Sequence, residues 1–169
     1  VALAGSCMEA GKTAAACAII SRMRHRGLNV HAFKATGVSL RRDIMAMEDA
    51  GARKTSIFTD FGVITTTNKT GPALTRVMLT EMAKGQPDVI VFELGDGLLG
   101  AYGVEAILNA PDIRAVLTGV VLSANDPVAA WGGVKLLREK FLVEPCAVTG
   151  PATDNQVGVD IIQDQLNVP

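Results

Sequence analysis

The chain has 169 residues, enough for one domain built around a single hydrophobic core. Hydrophobic residues make up 49% of it, charged residues 20% and aromatic residues only 4%, so the core must be aliphatic, as in a parallel sheet covered by helices. The net charge of −1 gives no basic surplus for a phosphate backbone, and no apolar run approaches the ~20 residues of a membrane span, so we expect neither a nucleic acid nor a membrane as a partner.

The cysteines are few and lie far apart in the sequence. Cys7, Cys17 and Cys146 form no CxxC pair and have no neighbouring histidine, which indicates a reduced, cytoplasmic protein without a zinc site. Cys7 is most simply a small residue that fills a loop position, with a redox thiol as the alternative. Because the sequence opens at Val1, one short strand before a motif, we expect residues 1–169 to be one domain that lacks an N-terminal portion of the natural chain.

Strand-like apolar runs alternate with helix-length amphipathic segments along the chain. In chain order we predict a strand at Val1–Ala4, a helix at Lys12–Arg26, a strand at Leu28–Lys34, a helix at Leu40–Ala50, a short strand or a buried loop at Ser56–Thr67, a helix at Pro72–Lys84, a strand at Asp88–Leu94, a helix at Gly103–Asn109, a strand at Ala115–Ser123, a helix at Val128–Lys140, a short strand at Ala147–Thr149 and a helix at Val157–Leu166. This alternation predicts an α/β fold, a three-layer α/β/α arrangement around a parallel sheet. Ligands of such sheets bind at the carboxyl ends of the strands, so the residues just after each strand are the candidates for function.

The segment Gly5–Thr13, with the sequence GSCMEAGKT, follows the first strand and opens the first helix. Gly11 lets the backbone approach a phosphate, and the loop N–H groups form a nest for an anion. Lys12 would bridge the terminal phosphates of a nucleotide, and the Thr13 hydroxyl would bind Mg²⁺. We therefore predict a P-loop, with a tight turn that carries an incidental Gly-Lys-Thr as the simpler alternative. The nucleotide-binding candidates in this segment are Gly5, Glu9, Ala10, Gly11, Lys12, Thr13 and Ala14.

The spacing of this loop departs from the usual G-x-x-x-x-G-K-[ST], because Ser6 stands where the first glycine is expected. Written G-x-x-x-E-x-G-K-T, the loop resembles that of the dethiobiotin synthetases, in the superfamily that includes the cobyrinic acid diamide synthases and the MinD/ParA ATPases. Further segments match in order over nearly the whole chain. The resemblance implies a P-loop NTPase fold, ATP and Mg²⁺ as ligands, a small-molecule carboxylate as substrate and a possible homodimer.

Two features after the second predicted strand belong to this resemblance. The family has a lysine at a strand end that contacts the transferred phosphoryl group or the carboxylated substrate, and Lys34 takes that position as a second catalytic residue beside Lys12. A metal-binding aspartate follows in the family, for which Asp43 is the best candidate and Asp49 and Asp60 are alternatives. The simpler interpretations are a solvent-facing lysine and carboxylates that cap helices or are solvated.

Later strand ends complete the resemblance. Glu93 matches the family's second acidic metal ligand, and a carboxylate at the end of an apolar strand is costly to bury without a partner. Asp96 is a further acid in the same turn that the family pattern does not supply. Asn125 matches an asparagine that reads the adenine edge, or else it caps the next helix, and Gly150 and Pro151 form a late loop beside the base. The predicted metal ligands are therefore Thr13, Asp43 and Glu93.

Two classes of function fit these residues. In an ATP-dependent ligase, a substrate carboxylate attacks the γ-phosphate of MgATP, and Arg41 and Arg42 are candidates to hold an anionic substrate. In a switch ATPase of the MinD/ParA kind or a metallochaperone-type GTPase, the nucleotide controls dimerisation. The extra lysine of ParA-like loops is absent at Ser6 and Cys7, which favours the ligase. A regulatory domain that binds nucleotide without turnover is a third possibility.

Overall fold

The chain folds into a sheet of six parallel strands with helices on its faces, as seen in a computed structural model that describes residues 1–169. The strands lie in the spatial order β3-β2-β4-β1-β5-β6, so the first strand occupies an interior position. This arrangement confirms the predicted three-layer α/β/α fold. The strands are β1 (Ala2–Gly5), β2 (Val30–Lys34), β3 (Lys54–Ile57), β4 (Val89–Glu93), β5 (Val120–Ser123) and β6 (Ala147–Thr149).

The helices cover the sheet in packed pairs, α1 against α2, α3 against α4 and α6 against α7. The bounds of five helices, α1, α2, α3, α4 and α7, agree within one residue with those predicted, and a glycine or proline marks the start of α1, α3 and α4. None of the helices is long and apolar enough to cross a membrane. The helices are α1 (Lys12–His25), α2 (Arg41–Asp49), α3 (Gly71–Ala83), α4 (Val104–Asn109), α5 (Pro111–Ala115), α6 (Pro127–Lys135) and α7 (Gln156–Leu166).

The secondary structure of two segments differs from the prediction, and the sequence leaves a third segment open between a strand and a loop. The predicted strand Ala115–Ser123 begins only at Val120, because Pro111 opens the short helix α5 and that helix runs to Ala115. The open segment Ser56–Thr67 contains the end of β3 and a 3-10 turn at Phe58–Phe61. The single helix predicted at Val128–Lys140 is α6 followed by a turn of π-helix at Leu136–Lys140.

An aromatic pair joins β2 and β4 in the otherwise largely aliphatic core. The rings of Phe33 and Phe92 stack with centroids 4.9 Å apart and an interplanar angle of 3°. The two residues are direct partners in the ladder, and the next pair along it is Lys34 and Glu93. Because side chains alternate between faces of a strand, that charged pair projects from the opposite face at the carboxyl edge of the sheet.

The carboxyl ends of all strands meet at one edge of the sheet because the strands are parallel. β1 lies between β4 and β5, with Leu3 opposite Glu93 on one side and Gly5 opposite Ser123 on the other. The loop after β1 is therefore bordered by the loops after β4 and β5. This is the place where an open α/β sheet binds its ligand.

Candidate nucleotide site

The loop after β1 is folded tightly around the side chain of Lys12. Lys12 is buried, and its Nζ donates a hydrogen bond of 2.8 Å to the backbone oxygen of Cys7. A Cβ atom on Gly5 would stand 2.7 Å from that Nζ, so a larger residue would displace the Lys12 side chain from this position. The start of the loop is tied to β5 by a hydrogen bond of 2.9 Å from the Ser6 amide to the Ser123 oxygen.

The N-terminus of α1 is left uncapped by the protein. Gly11 precedes the helix with φ +95°, no side chain caps the helix and no acidic residue lies in its first turn. Glu9 also has a left-handed backbone, with φ 57°. A 14-residue helix with open amide groups at its start, next to a lysine, is a site that attracts phosphate.

Thr13 and Glu93 provide oxygen ligands beside this loop. The Thr13 hydroxyl donates a hydrogen bond of 2.8 Å to Oε2 of Glu93, whose side chain is buried at the end of β4. A hydroxyl and a carboxylate fit Mg²⁺, which takes one or two protein oxygens together with phosphate and water. No group of three or more His, Cys, Asp or Glu side chains forms a complete metal cage in the protein. These two residues would therefore hold Mg²⁺ jointly with a nucleotide.

Lys34 lies between two buried carboxylates. Its Nζ pairs with Oδ2 of Asp43 at the start of α2 and lies 3.8 Å from Oε1 of Glu93. Arg42 approaches the other oxygen of Asp43 from the solvent side at 3.9 Å. Lys34 is thus a buried member of a charged network, so its interpretation as a solvent-facing lysine is wrong. The same network accounts for Asp43 as a buried, paired carboxylate.

Burial lowers the pKa of the Lys12 ammonium, and the negative charges of Glu93 and Asp96 partly oppose that effect. The protein therefore holds this cation in a position where its own surroundings disfavour the charge. A bound phosphate would provide the missing negative charge and restore the pKa of Lys12. A cation whose pKa is lowered by burial in a pocket is a candidate for ligand binding.

These residues line one pocket with a volume of about 570 Å³ at the carboxyl edge of the sheet. Of the two alternatives to Asp43, neither lies in it. Asp49 is exposed at the end of α2, and Asp60 accepts hydrogen bonds from Ser56 and Ile57 within the 3-10 turn. The pocket is lined by Met8, Glu9, Gly11, Lys12, Thr13, Ala14, Lys34, Val38, Leu40, Arg42, Asp43, Glu93 and Asp96.

Asn125 lies on the loop after β5 and contacts the P-loop. Its Nδ2 donates a hydrogen bond of 3.0 Å to the Cys7 sulfur. The cap of α6 is Asp126, which accepts a hydrogen bond of 2.8 Å from the Ala129 amide, so the interpretation of Asn125 as a helix cap is wrong. The contact with Cys7 places Asn125 beside the loop after β1, and its role as a reader of adenine stays a prediction.

Gly150 packs its backbone against two other strand-end loops. A Cβ atom on it would stand 2.5 Å from the Ala10 oxygen and 2.8 Å from the Ala124 oxygen, and its φ of +95° also favours glycine. A Cβ on Gly11 would in turn lie 3.5 Å from Gly150 Cα. Pro151 follows as the first residue of a 3-10 turn and is exposed. The predicted late loop therefore supports the P-loop directly, through main-chain atoms.

A second cavity, of about 650 Å³, lies at the amino ends of β1 and β4 and contains none of the predicted site residues. Its walls are mostly apolar, with Arg76 and Asp112 at its rim. Arg76 donates two hydrogen bonds to Asp112, of 2.6 and 2.8 Å, and these lower the pKa of that carboxyl to about 2. This ion pair is exposed and complete in itself, so it does not compete with the pocket around Lys12 as a candidate site.

An all-parallel sheet in which a Gly-Lys-Thr loop leads from an interior strand into a helix defines the P-loop NTPase fold. Over 99% of its length, the chain matches the signal recognition particle receptor FtsY from Elizabethkingia anophelis with a TM-score of 0.70 and 16% identity, covering 56% of that chain. A structure of that receptor in complex with GDP matches with a TM-score of 0.70 and 17% identity, and 54% of its chain is covered. FtsY from Thermotoga maritima matches with a TM-score of 0.61 and 14% identity, and 58% of its chain is covered.

The chain therefore spans little more than half the length of these receptors, and at such identities the likeness concerns the fold. No family model matches the sequence, and no curated protein matches it at a significant level.

Proposed function

We propose that the chain binds a nucleoside triphosphate together with Mg²⁺ at the carboxyl edge of its sheet and cleaves the γ-phosphate. The observation that carries this proposal is the arrangement of Lys12, which turns back over its own loop beside the hydrogen-bonded pair Thr13 and Glu93. An anion nest, a cation and a divalent-metal ligand pair are the parts that phosphoryl transfer requires.

The triphosphate would lie across the start of α1. Its oxygens would accept hydrogen bonds from the open amide groups of the loop, and Lys12 would exchange its bond with Cys7 for a phosphate oxygen. Mg²⁺, held by Thr13 and Glu93, would neutralise charge on the β- and γ-phosphates. The protein's contribution is positioning and charge compensation, because the transition state needs little covalent assistance.

Two acceptors of the phosphoryl group remain to be distinguished. The ligase-type acceptor is a small-molecule carboxylate, and the exposed guanidinium of Arg42 at the mouth of the pocket supports it. The switch-type acceptor is water, and the likeness in fold to FtsY supports that alternative. The first requires a second substrate for turnover, whereas the second does not.

The identity of the base is a separate part of the proposal. The resemblance to the dethiobiotin synthetases implies ATP, with Asn125 as the reader of its base, whereas one structure with the same fold contains GDP. Asn125 would have to release Cys7 before it could read a base. Both ATP and GTP are therefore the nucleotides to compare.

Thermal unfolding with and without MgATP or MgGTP tests the proposal. A ligand at 100 times its Kd stabilises a protein by about 2.7 kcal/mol, which shifts the midpoint measurably. Replacing Lys12 with alanine should remove the shift, whereas replacing Lys69 should not, because Lys69 is an exposed lysine outside the pocket. If neither nucleotide shifts the wild-type midpoint, the proposed function is wrong.

A further inference from the structure

Asp96 has a left-handed backbone, which few residues other than glycine, asparagine and aspartate adopt. Its φ is 76°, in the left-handed region. A residue with a Cβ atom is less stable there than glycine. The resemblance described above has no acid at this position. Strain of this kind persists where the surroundings enforce it, and it concentrates at functional positions.

The neighbours of Asp96 are glycines that allow no side chain. A Cβ on Gly95 would overlap the Thr36 oxygen, and the Thr36 hydroxyl donates a hydrogen bond of 2.9 Å to the Gly95 oxygen. A Cβ on Gly97 would stand 2.6 Å from the Ser6 oxygen. The turn is thus clamped on one side by the loop after β2 and on the other by the P-loop, with Asp96 between them.

The carboxylate of Asp96 has no hydrogen-bond or ion-pair partner in the protein. It lies over Gly100, where a Cβ would overlap its Oδ2, and it forms none of the ion pairs or side-chain hydrogen bonds of the protein. It lines the pocket that contains Lys12 and Lys34, and its charge acts on Lys12. The other two pocket carboxylates with buried side chains, Asp43 and Glu93, are both paired with Lys34.

We infer that Asp96 is the general base that accepts a proton from a water molecule attacking the γ-phosphate, so that the acceptor of the phosphoryl group is water. The inference rests on the proposed function and selects between its two acceptors. A carboxylate substrate is already ionised and needs no base, whereas a water molecule must lose a proton to become phosphate oxygen. An unpaired carboxylate beside the phosphate-binding lysine meets that need.

Hydrolysis forms one bond to the γ-phosphorus and breaks one. A lone pair of the water oxygen forms the bond to the γ-phosphorus, and the bond from that phosphorus to the bridging oxygen breaks, its electron pair leaving with the nucleoside diphosphate. One water proton moves to Asp96 and passes from there to solvent. The products are a nucleoside diphosphate and inorganic phosphate.

The test compares steady-state hydrolysis of MgATP and MgGTP by the wild type, Asp96→Asn, Asp96→Gly and Asp96→Glu. Asp164→Asn on α7 is the control, an exposed aspartate far along the chain from the pocket. We expect kcat to fall by about 100-fold or more in Asp96→Asn and Asp96→Gly, while KM and the nucleotide-induced thermal shift are retained. Asp96→Glu should keep partial activity. In oxygen-labelled water, one labelled atom should enter the released phosphate.

The glycine variant separates catalysis from structure. Glycine adopts φ 76° without strain, so a residue with only a structural role would leave Asp96→Gly at least as stable and as active as the wild type. Retention of kcat within a few-fold in that variant would overturn the inference, as would wild-type turnover that requires an added carboxylate or is absent. Failure of the wild type to bind either nucleotide would instead show that the proposed function itself is wrong.

Discussion

The hydroxyl of Thr13 donates a hydrogen bond of 2.8 Å to Glu93, although 80 positions separate the two residues in the sequence. The adjacency of β1 and β4 in the sheet brings the start of α1 next to the end of β4. A divalent cation shared by these two oxygens would replace the hydrogen bond. The contact is therefore a specific place at which metal dependence can be tested.

We predict that Thr13→Ala and Glu93→Gln reduce the part of nucleotide binding that depends on Mg²⁺. Each removes one oxygen ligand, so Kd measured with Mg²⁺ should rise while Kd measured with EDTA changes little. Titration calorimetry under both conditions provides the measurement. Thr80→Ala on α3, whose hydroxyl bonds to the Arg76 oxygen, is the matched control. Equal weakening with and without metal would argue against these residues as Mg²⁺ ligands.

Lys34→Met should destabilise the fold strongly. It removes the cation between the buried Asp43 and Glu93 and leaves only the exposed Arg42 near Asp43. Breaking a buried ion pair by removing one partner costs about 3–5 kcal/mol. The double variant with Asp43→Asn should be less destabilised than the sum of the single variants. Urea denaturation of the four proteins of this cycle gives the coupling energy. Additive effects would show that Lys34 and Asp43 act independently.

Gly150→Ala should weaken both the fold and nucleotide binding. The new Cβ would press on the Ala10 and Ala124 oxygens, and the backbone strain alone costs about 1–3 kcal/mol. Gly132→Ala is the control, because a Cβ there meets nothing and alanine is favoured in a helix by about 0.5–1 kcal/mol. Relative to the wild type, the free energy of unfolding should fall in Gly150→Ala and rise in Gly132→Ala. A Gly150→Ala protein as stable as the wild type would contradict the packing of this loop.

The pKa of Asp112 should rise from about 2 toward its ordinary value when Arg76 is replaced by alanine. The ion pair favours the ionised carboxylate in the folded protein. Its stabilising contribution is therefore complete above the unfolded pKa, near 3.8, and is lost as the pH falls toward 2. A carboxyl NMR titration measures both values. Glu144, whose pKa is lowered by Arg138, should titrate unchanged in the same variant.

The fold was predictable because each of its signals is local. Apolar runs marked the strands, amphipathic periodicity marked the helices, and Gly11, Lys12 and Thr13 marked the phosphate loop. The error over residues 115–119 has an equally local reason. Val116 and Leu117 are apolar like strand residues, but their amides donate to the Ile113 and Arg114 oxygens and close the turn after α5.

The ion-pair partners of the charged residues could not be predicted from the sequence. Lys34, Asp43 and Glu93 could each be singled out, but their shared network depends on β2 and β4 being neighbours in the sheet. The backbone contacts of Gly150 left no sequence signal at all beyond the glycine itself. For Asp96 a signal was present, an acid between two glycines after a buried strand, yet its left-handed backbone and unpaired carboxylate emerge only from the three-dimensional structure.

The central position of β1 has a consequence for the order of events during synthesis. Ala2 pairs with Phe92 on one side and Val120 on the other, so the strand that carries the P-loop is held on both edges only after most of the chain has emerged. Contacts of such long sequence separation form late, because the intervening chain must first be ordered. A nascent chain that ends before β5 has the complete nucleotide motif without the strand that supports it. The proposed nucleotide would therefore stabilise the domain only once β1 is paired on both edges.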